Sequence, residues 1–411
     1  MIPLAKPLLG QQEINAVGKV IRSGWVIEGP KVKEFECQFA AFVGASYAVA
    51  VSNCTTALHL SLLVSGVKPG DVVITVSHSF IATANCIRYC QAEPVFVDID
   101  PSTYNMDPAK LEACLKNDFQ QRGGRLYYKH IDRLLKNDSP LRYLKKNLGS
   151  LSTILVVHQM GMPCDLKSIL SIAKKFGLKV VEDAACAIGS EITMDKGKTW
   201  RRIGKPHGSL ACFSFHPRKI ITTGEGGMIT TSDERIANRL RLLRCHGRNI
   251  PAFEQRTTLK KVRIEDYVIT GYNYRMTDIQ AAIGLAQLQR LEMIVKERRR
   301  LDALYRKHFF GIKNVILPFK PDVVKTNWQS YPVRLKGISA SKRNCLIQEL
   351  LRQGISSQPG VTNAHTQPPY RNNRILLAQS EDARKEVIIL PLYVGLKEAD
   401  IKKVALIVSK I

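Results

Sequence analysis

Five short apolar runs, each leading into a loop and then a helical stretch, constrain this chain more than any other feature. They are Tyr47-Ala-Val-Ala-Val51, Val72-Val-Ile-Thr-Val76, Pro94-Val-Phe-Val-Asp-Ile-Asp100, Thr153-Ile-Leu-Val-Val-His158 and Lys179-Val-Val-Glu-Asp183. Runs this short and this continuous read as strands buried on both faces. Strand alternating with helix predicts an α/β fold. The chain has 411 residues, enough for more than one core. Beyond about residue 300 the texture shifts to short strands and helices, such as Tyr331 to Leu335 and Ser341 to Arg352. This predicts a large domain over 1–300 and a smaller one over 301–411.

Composition removes several function classes. No apolar run approaches the ~20 residues of a membrane span, and the start, Met-Ile-Pro-Leu-Ala-Lys-Pro, lacks a signal-like apolar stretch. A cytoplasmic protein without stable membrane insertion is expected. The ten cysteines are scattered, with no C-x-x-C and no histidine pair at zinc spacing. Buried free thiols in a reducing compartment are therefore expected, and no metal site. The net charge is +26, yet the basic residues are dispersed rather than gathered on one element. That argues against nucleic acid and suits an anionic small substrate. One stretch departs from this. Residues 116–147 hold nine Lys/Arg against three Asp/Glu, and Leu126, Leu134, Leu135, Leu141 and Leu144 give a loosely helical stripe. A solvated excursion is the expectation there, with a lid or an oligomer contact as the alternatives.

Chemistry concentrates around Cys212-Phe-Ser-Phe-His-Pro-Arg-Lys-Ile-Ile-Thr-Thr-Gly-Glu-Gly-Gly-Met228. The pattern reads as strand, tight loop, strand, with Lys219 on the loop. A lysine held by stiff, desolvating surroundings can sit neutral and attack a carbonyl. Asp183 ends a strand at the edge where α/β proteins bind ligands. Ser52-Asn-Cys-Thr-Thr56 opens a helix whose first N–H groups make a seat for phosphate. Each has an ordinary alternative when taken alone: a surface lysine, a helix-capping aspartate, a plain helix cap.

Together the segments FSFHPRK and TTGEGGM, with Asp183, Ser214 and Lys219 in order, resemble the lysine segment of the DegT/DnrJ/EryC1/StrS family of sugar aminotransferases, which depend on pyridoxal 5'-phosphate (PLP). The resemblance covers nearly the whole chain, interrupted chiefly at 116–147. It implies an aspartate-aminotransferase-like fold (PLP fold type I), with a mixed, mostly parallel seven-stranded sheet in the large domain and a small C-terminal α/β domain. Lys219 is then the residue that holds PLP covalently, and Asp183 the partner of its ring nitrogen. Cys54 and Thr55 fall on the phosphate motif, Ser214 on a further phosphate contact, and Phe80 on the aromatic that stacks on the ring. Cys186 stands where better-understood relatives carry Gln or His, so its cofactor contact departs from the pattern. Gly271-Tyr-Asn-Tyr-Arg-Met-Thr-Asp278 resembles a segment whose asparagine reaches the other subunit's phosphate. This implies a homodimer with shared sites, Asn273 serving the partner. Trp25, Trp328–Tyr331 and Gly360–His365 fall on substrate-facing segments.

The implied reaction moves an amino group, by family analogy from L-glutamate, to a nucleotide-linked keto-sugar. Such sugars serve surface polysaccharide, lipopolysaccharide or secondary-metabolite biosynthesis. A PLP-dependent sugar dehydratase is the alternative within the family, but those relatives typically carry histidine at the lysine position. A non-catalytic regulatory protein on the same scaffold would have no need of Asp183, Ser214 and Lys219 together.

Overall fold

The computed structural model describes residues 1–136, 138–145, 148–250, 264–371 and 375–410. The apolar runs form strands β1 (Tyr47–Val51), β2 (Val72–Val76) and β3 (Glu93–Val97). Strands β4 (Phe119–Arg122), β5 (Arg125–Tyr128), β6 (Ser150–Val157) and β7 (Lys179–Asp183) follow. Two short strands, β8 (Glu191–Ile192) and β9 (Arg201–Arg202), precede β10 (Leu210–Ser214) and β11 (Gly227–Thr231).

The main sheet runs β1-β11-β10-β7-β6-β2-β3. Strands β10, β7, β6, β2 and β3 are parallel, and β11 is antiparallel to both its neighbours. Side chains alternate between two cores, which is why the strands lack polar alternation. Ala48, Ala50, Ile74, Val156 and Phe213 enter one; Val49, Val51, Val73, Leu155 and Cys212 enter the other. Helix α1 (Gln11–Ser23) leads into α2 (Pro30–Val43), which closes the first core. The rings of Phe35 and Phe39 from α2 lie 5.3 Å from Phe215 and 5.0 Å from Phe213, respectively. Helices α3 (Cys54–Ser65) and α4 (Ala82–Tyr89) follow β1 and β2.

The basic stretch differs from the helical, solvated excursion expected of it. Arg122 pairs with Arg125 across Gly123-Gly124, both at positive φ, forming a two-residue hairpin. Strand β5 then pairs with Ser150 and Leu151 of β6, ahead of the point where β7 joins at Thr153. The hairpin extends the seven-stranded path to nine strands. Phe119, Tyr128, Leu134 and Leu141 are buried, so the leucines seat the insertion on the core instead of striping one helix. Lys146 of the basic run lies outside the described residues.

The C-terminal part builds a four-stranded antiparallel sheet, in the order Val315–Ile316, Tyr331–Leu335, Val387–Leu390, Gln358–Pro359. Its separate core gathers Tyr305, Tyr331, Leu350, Ile388 and Ile401. The helix Leu291–Phe309 serves both parts: Leu291, Ile294 and Val295 pack on the first core, Leu301, Tyr305 and Phe309 on the C-terminal one. Among the described residues, no helix is long and apolar enough to cross a membrane.

Candidate active site

Because β1, β2, β6, β7 and β10 point the same way, the segments after them meet at one edge of the sheet. There Asp183 ends β7 with its carboxylate buried. Its Oδ2 accepts from Thr83 Oγ1 at 2.8 Å and its Oδ1 from the Ala185 amide at 3.2 Å. Thr83 is itself held by Ser79 Oγ at 2.8 Å. Burial pushes the Asp183 carboxyl above the usual range, while Thr83, the Ala185 amide and Lys219 act against that shift.

Lys219 enters from the loop that joins β10 to β11. Its amide bonds the His216 carbonyl at 2.8 Å, and Phe215 accepts from the Thr223 amide and the Thr222 hydroxyl. The loop is therefore rigid, and Lys219 Nζ lies 3.1 Å from Cys186 Sγ, three residues beyond Asp183. Desolvation alone would favour the neutral amine, as the sequence argument expects. Burial does push that way, but Cys186, Cys54 and Asp183 outweigh it and hold the amine above the ordinary lysine value.

On the other side of the edge, Asn53 caps α3, accepting from the Thr56 amide at 2.9 Å. Thr56 is therefore spent on the cap. The amides of Cys54 and Thr55 meet no acceptor among the described residues and form the positive end of the helix. Register brings Ser214 to this place, because Ser214 faces Gly227, which in turn faces Val51. A Cβ on Gly227 would fall 2.5 Å from the Asn53 carbonyl and 2.9 Å from the Cys54 amide nitrogen, so only glycine lets β11 approach the helix start. The Phe80 ring is 72% exposed, without a place in either core. A buried carboxylate, an amine, unpaired helix-start amides and a free aromatic face fit a flat, phosphate-bearing, aldehyde-carrying ring.

Asn273 is exposed, between Tyr272 and Tyr274, whose rings stack at 4.9 Å and pack against His59. An antiparallel bridge to Cys245 fixes its backbone, and the carbonyl of the next residue, Tyr274, accepts from the Ser52 amide at 2.8 Å. Several segments expected to face substrate turn inward. Trp328 and Tyr331 are buried in the C-terminal core. Asn363 and His365 are buried as well, bonding His78 Nδ1 at 2.8 Å and Ser77 Oγ at 2.6 Å. Trp25 packs over Gly29 and donates to the Glu28 carbonyl at 3.1 Å. Asp278 caps α2 by accepting from the amides of Gly29, Lys31 and Val32.

The sequence reading missed Thr83 and the pair beneath Asp183. His158 Nδ1 accepts from the Cys164 amide, so its Nε2 donates to Glu182 Oε2 at 3.1 Å. The other Glu182 oxygen accepts from the amides of His207 and Gly208. Burial would raise this carboxyl, but His158, His207 and the Gly208 amide together hold it below the usual value. A polar pair inside an otherwise apolar strand was the available signal.

The chain belongs to the DegT/DnrJ/EryC1/StrS aminotransferase family, whose model matches residues 7–409. It is 37% identical to the GDP-perosamine synthase of Caulobacter vibrioides over 412 residues, covering 98% of this chain and 96% of that protein. It is 34% identical to the spore coat polysaccharide biosynthesis protein SpsC of Bacillus subtilis, covering 98% of this chain and 95% of the relative. A Streptococcus pneumoniae protein solved in its PLP form superimposes with a TM-score of 0.81 at 26% identity, over 100% of this chain and 98% of its own. The chain is thus a PLP-dependent aminotransferase.

Proposed function

We propose that this chain moves an amino group from an amino acid, L-glutamate by family analogy, to the ketone of a nucleotide-linked sugar. One observation carries the reading. An amine on a rigid loop, Lys219 Nζ, lies 3.1 Å from Cys186 Sγ, three residues beyond a buried strand-end carboxylate, at the sheet edge where α3 begins. The sugar substrate is supported by the similarity to a GDP-perosamine synthase and to a spore coat polysaccharide biosynthesis protein. The net charge of +26 suits a substrate that carries a nucleotide diphosphate.

Bound here, PLP supplies an electrophilic carbon and a ring that draws electrons from the reacting carbon. Lys219 Nζ would hold that carbon and, once displaced, carry the proton to and from the substrate carbon. Asp183, oriented by Thr83, would keep the ring nitrogen protonated. The amides of Cys54 and Thr55 and the Ser214 hydroxyl would hold the phosphate, and Phe80 would cover the ring. Cys186 would face the cofactor beside Lys219. Asn273, exposed in a single chain, would serve the site of a second copy and make the working unit a homodimer. The division at about residue 300 has the support of the helix Leu291–Phe309, which changes core partway. A cytoplasmic location suits nucleotide-sugar chemistry.

A half-reaction screen tests the reading. Protein loaded with pyridoxamine phosphate would be mixed with nucleotide keto-sugars, and the visible band of the aldehyde form followed. The band should return with at least one nucleotide keto-sugar and not with the corresponding free sugar. Return with simple 2-oxo acids alone would contradict the sugar assignment.

A further inference from the structure

The segment Thr326–Ser330 enters the C-terminal sheet, yet two of its side chains reach back to the backbone on both sides of the Lys219–Cys186 contact. Asn327 is fully buried. Its Nδ2 donates to the carbonyl of Cys186 at 2.8 Å and to that of Ile188 at 2.7 Å. Its Oδ1 accepts from the Gln329 amide at 2.9 Å. Gln329 Nε2 in turn donates to the Arg218 carbonyl at 2.9 Å, one residue before Lys219. The bonds close a ring: Lys219 to Cys186, Cys186 to Asn327, Asn327 to Gln329, Gln329 to Arg218, and Arg218 along the chain to Lys219. The Arg218 guanidinium adds a second tie to the C-terminal sheet, donating to Gln358 Oε1 at 2.5 Å.

Two unusual backbone positions support the ring. Trp328, between the two amide residues, has φ +51°, a costly conformation for a bulky side chain. It turns the chain so that the Gln329 amide meets the Asn327 side chain. Arg298 secures that turn from the neighbouring helix, donating to the carbonyls of Trp328 at 2.8 Å and Gln329 at 2.6 Å. Gly161, at φ +94°, passes so close that a Cβ there would fall 2.0 Å from Asn327 Oδ1. Strain of this kind persists only where surrounding bonds over-determine it, and such places cluster at functional sites.

We propose that Asn327 and Gln329 are positioning residues that make the C-terminal part of the chain hold the Lys219 amine at its working place. The inference rests on the Lys219 assignment above. Gln329 is half-buried, so Gln329→Leu and the same-sized Gln329→Glu should both fold; the carboxylate cannot donate to the Arg218 carbonyl. The first readout uses cofactor-free protein. Lysines are methylated with formaldehyde and cyanoborohydride, and the rate at Lys219 is compared by peptide mass spectrometry with that at exposed Lys68. Both variants should label Lys219 at least about fivefold faster than wild type, the scale set by one lost hydrogen bond, with Lys68 unchanged. In loaded enzyme, kcat should fall about tenfold or more with little change in donor KM, as misplacement of a reacting group dictates.

Wild-type labelling of Lys219 in both variants would overturn the proposal, as would a Gln329→Glu enzyme with normal kcat. The two readings fail separately. If borohydride treatment of loaded wild-type enzyme leaves Lys219 unlabelled, the Lys219 assignment falls, whereas the cofactor-free labelling reports only on the hold over the amine.

Discussion

The floor and the rim of the site are built by different means. On the floor, Asp183 and Glu182 are buried and each oxygen has a donor, and Lys219 sits on a loop tied by bonds to the Phe215 and His216 carbonyls. On the rim, Phe80 is 72% exposed and Asn273 is exposed on the segment that carries the stacked Tyr272 and Tyr274, with neither packed into a core. The floor residues are paired within one chain, whereas the rim residues are exposed, and the proposed function assigns them to cofactor and a second copy. Floor residues should therefore govern chemistry, and rim residues should govern binding and assembly.

The largest effects should come from the floor. Lys219→Ala should abolish turnover while the protein stays folded and still binds cofactor; retained transamination would remove the distinction at once. Asp183→Asn should lower kcat by about a hundredfold, the scale of deleting one preorganised electrostatic partner, with little change in thermal stability. Near-normal rates would show that the carboxylate is no more than a strand-end residue. Asn273→Asp should act less on chemistry than on cofactor affinity. Mixing it with Lys219→Ala should restore activity, because one site of the mixed dimer then has both groups intact. No recovery on subunit exchange would place Asn273 in its own chain's site.

A smaller effect should follow pH. Burial pushes the His59 imidazole, under the rim tyrosines, down from 6.5 to about 4, and His78 likewise. The unfolded chain takes up protons in that window that the folded chain refuses. Stability should be fully present above pH 6.5 and be lost as pH falls towards 4, and His59→Gln should flatten part of the decline in thermal midpoint. An unchanged slope would exclude His59. The smallest effect should come from the hairpin insertion. Arg122→Glu with Arg125→Glu should leave kcat/KM within about twofold, as is usual for exposed positions remote from a site. A larger loss would tie the basic hairpin to substrate.

The floor was legible in the sequence because its residues sit at strand ends and tight turns, where local pattern fixes position. Asp183, Ser214 and Lys219 all fall where the alternation of strand and loop places them. The helix start at Cys54 was legible for the same reason, although Asn53 takes up the Thr56 amide and narrows the seat to Cys54 and Thr55. The insertion was misread because leucine spacing does not distinguish a helical stripe from a Gly-Gly hairpin followed by short turns. Trp328, Asn363 and His365 pointed to substrate by resemblance, but whether a polar side chain faces a cleft or a carbonyl depends on contacts hundreds of residues away. His78 and Asn363 are 285 positions apart. Thr83 stayed hidden for that reason too, and so did the bond from Gln329 to the Arg218 carbonyl, 111 positions away.

Borohydride reduction of the PLP-loaded protein tests the central claim most directly. Digestion and mass mapping should find the reduced cofactor on the peptide that carries Lys219, one label per chain. A label on any other lysine, or none, would contradict the account.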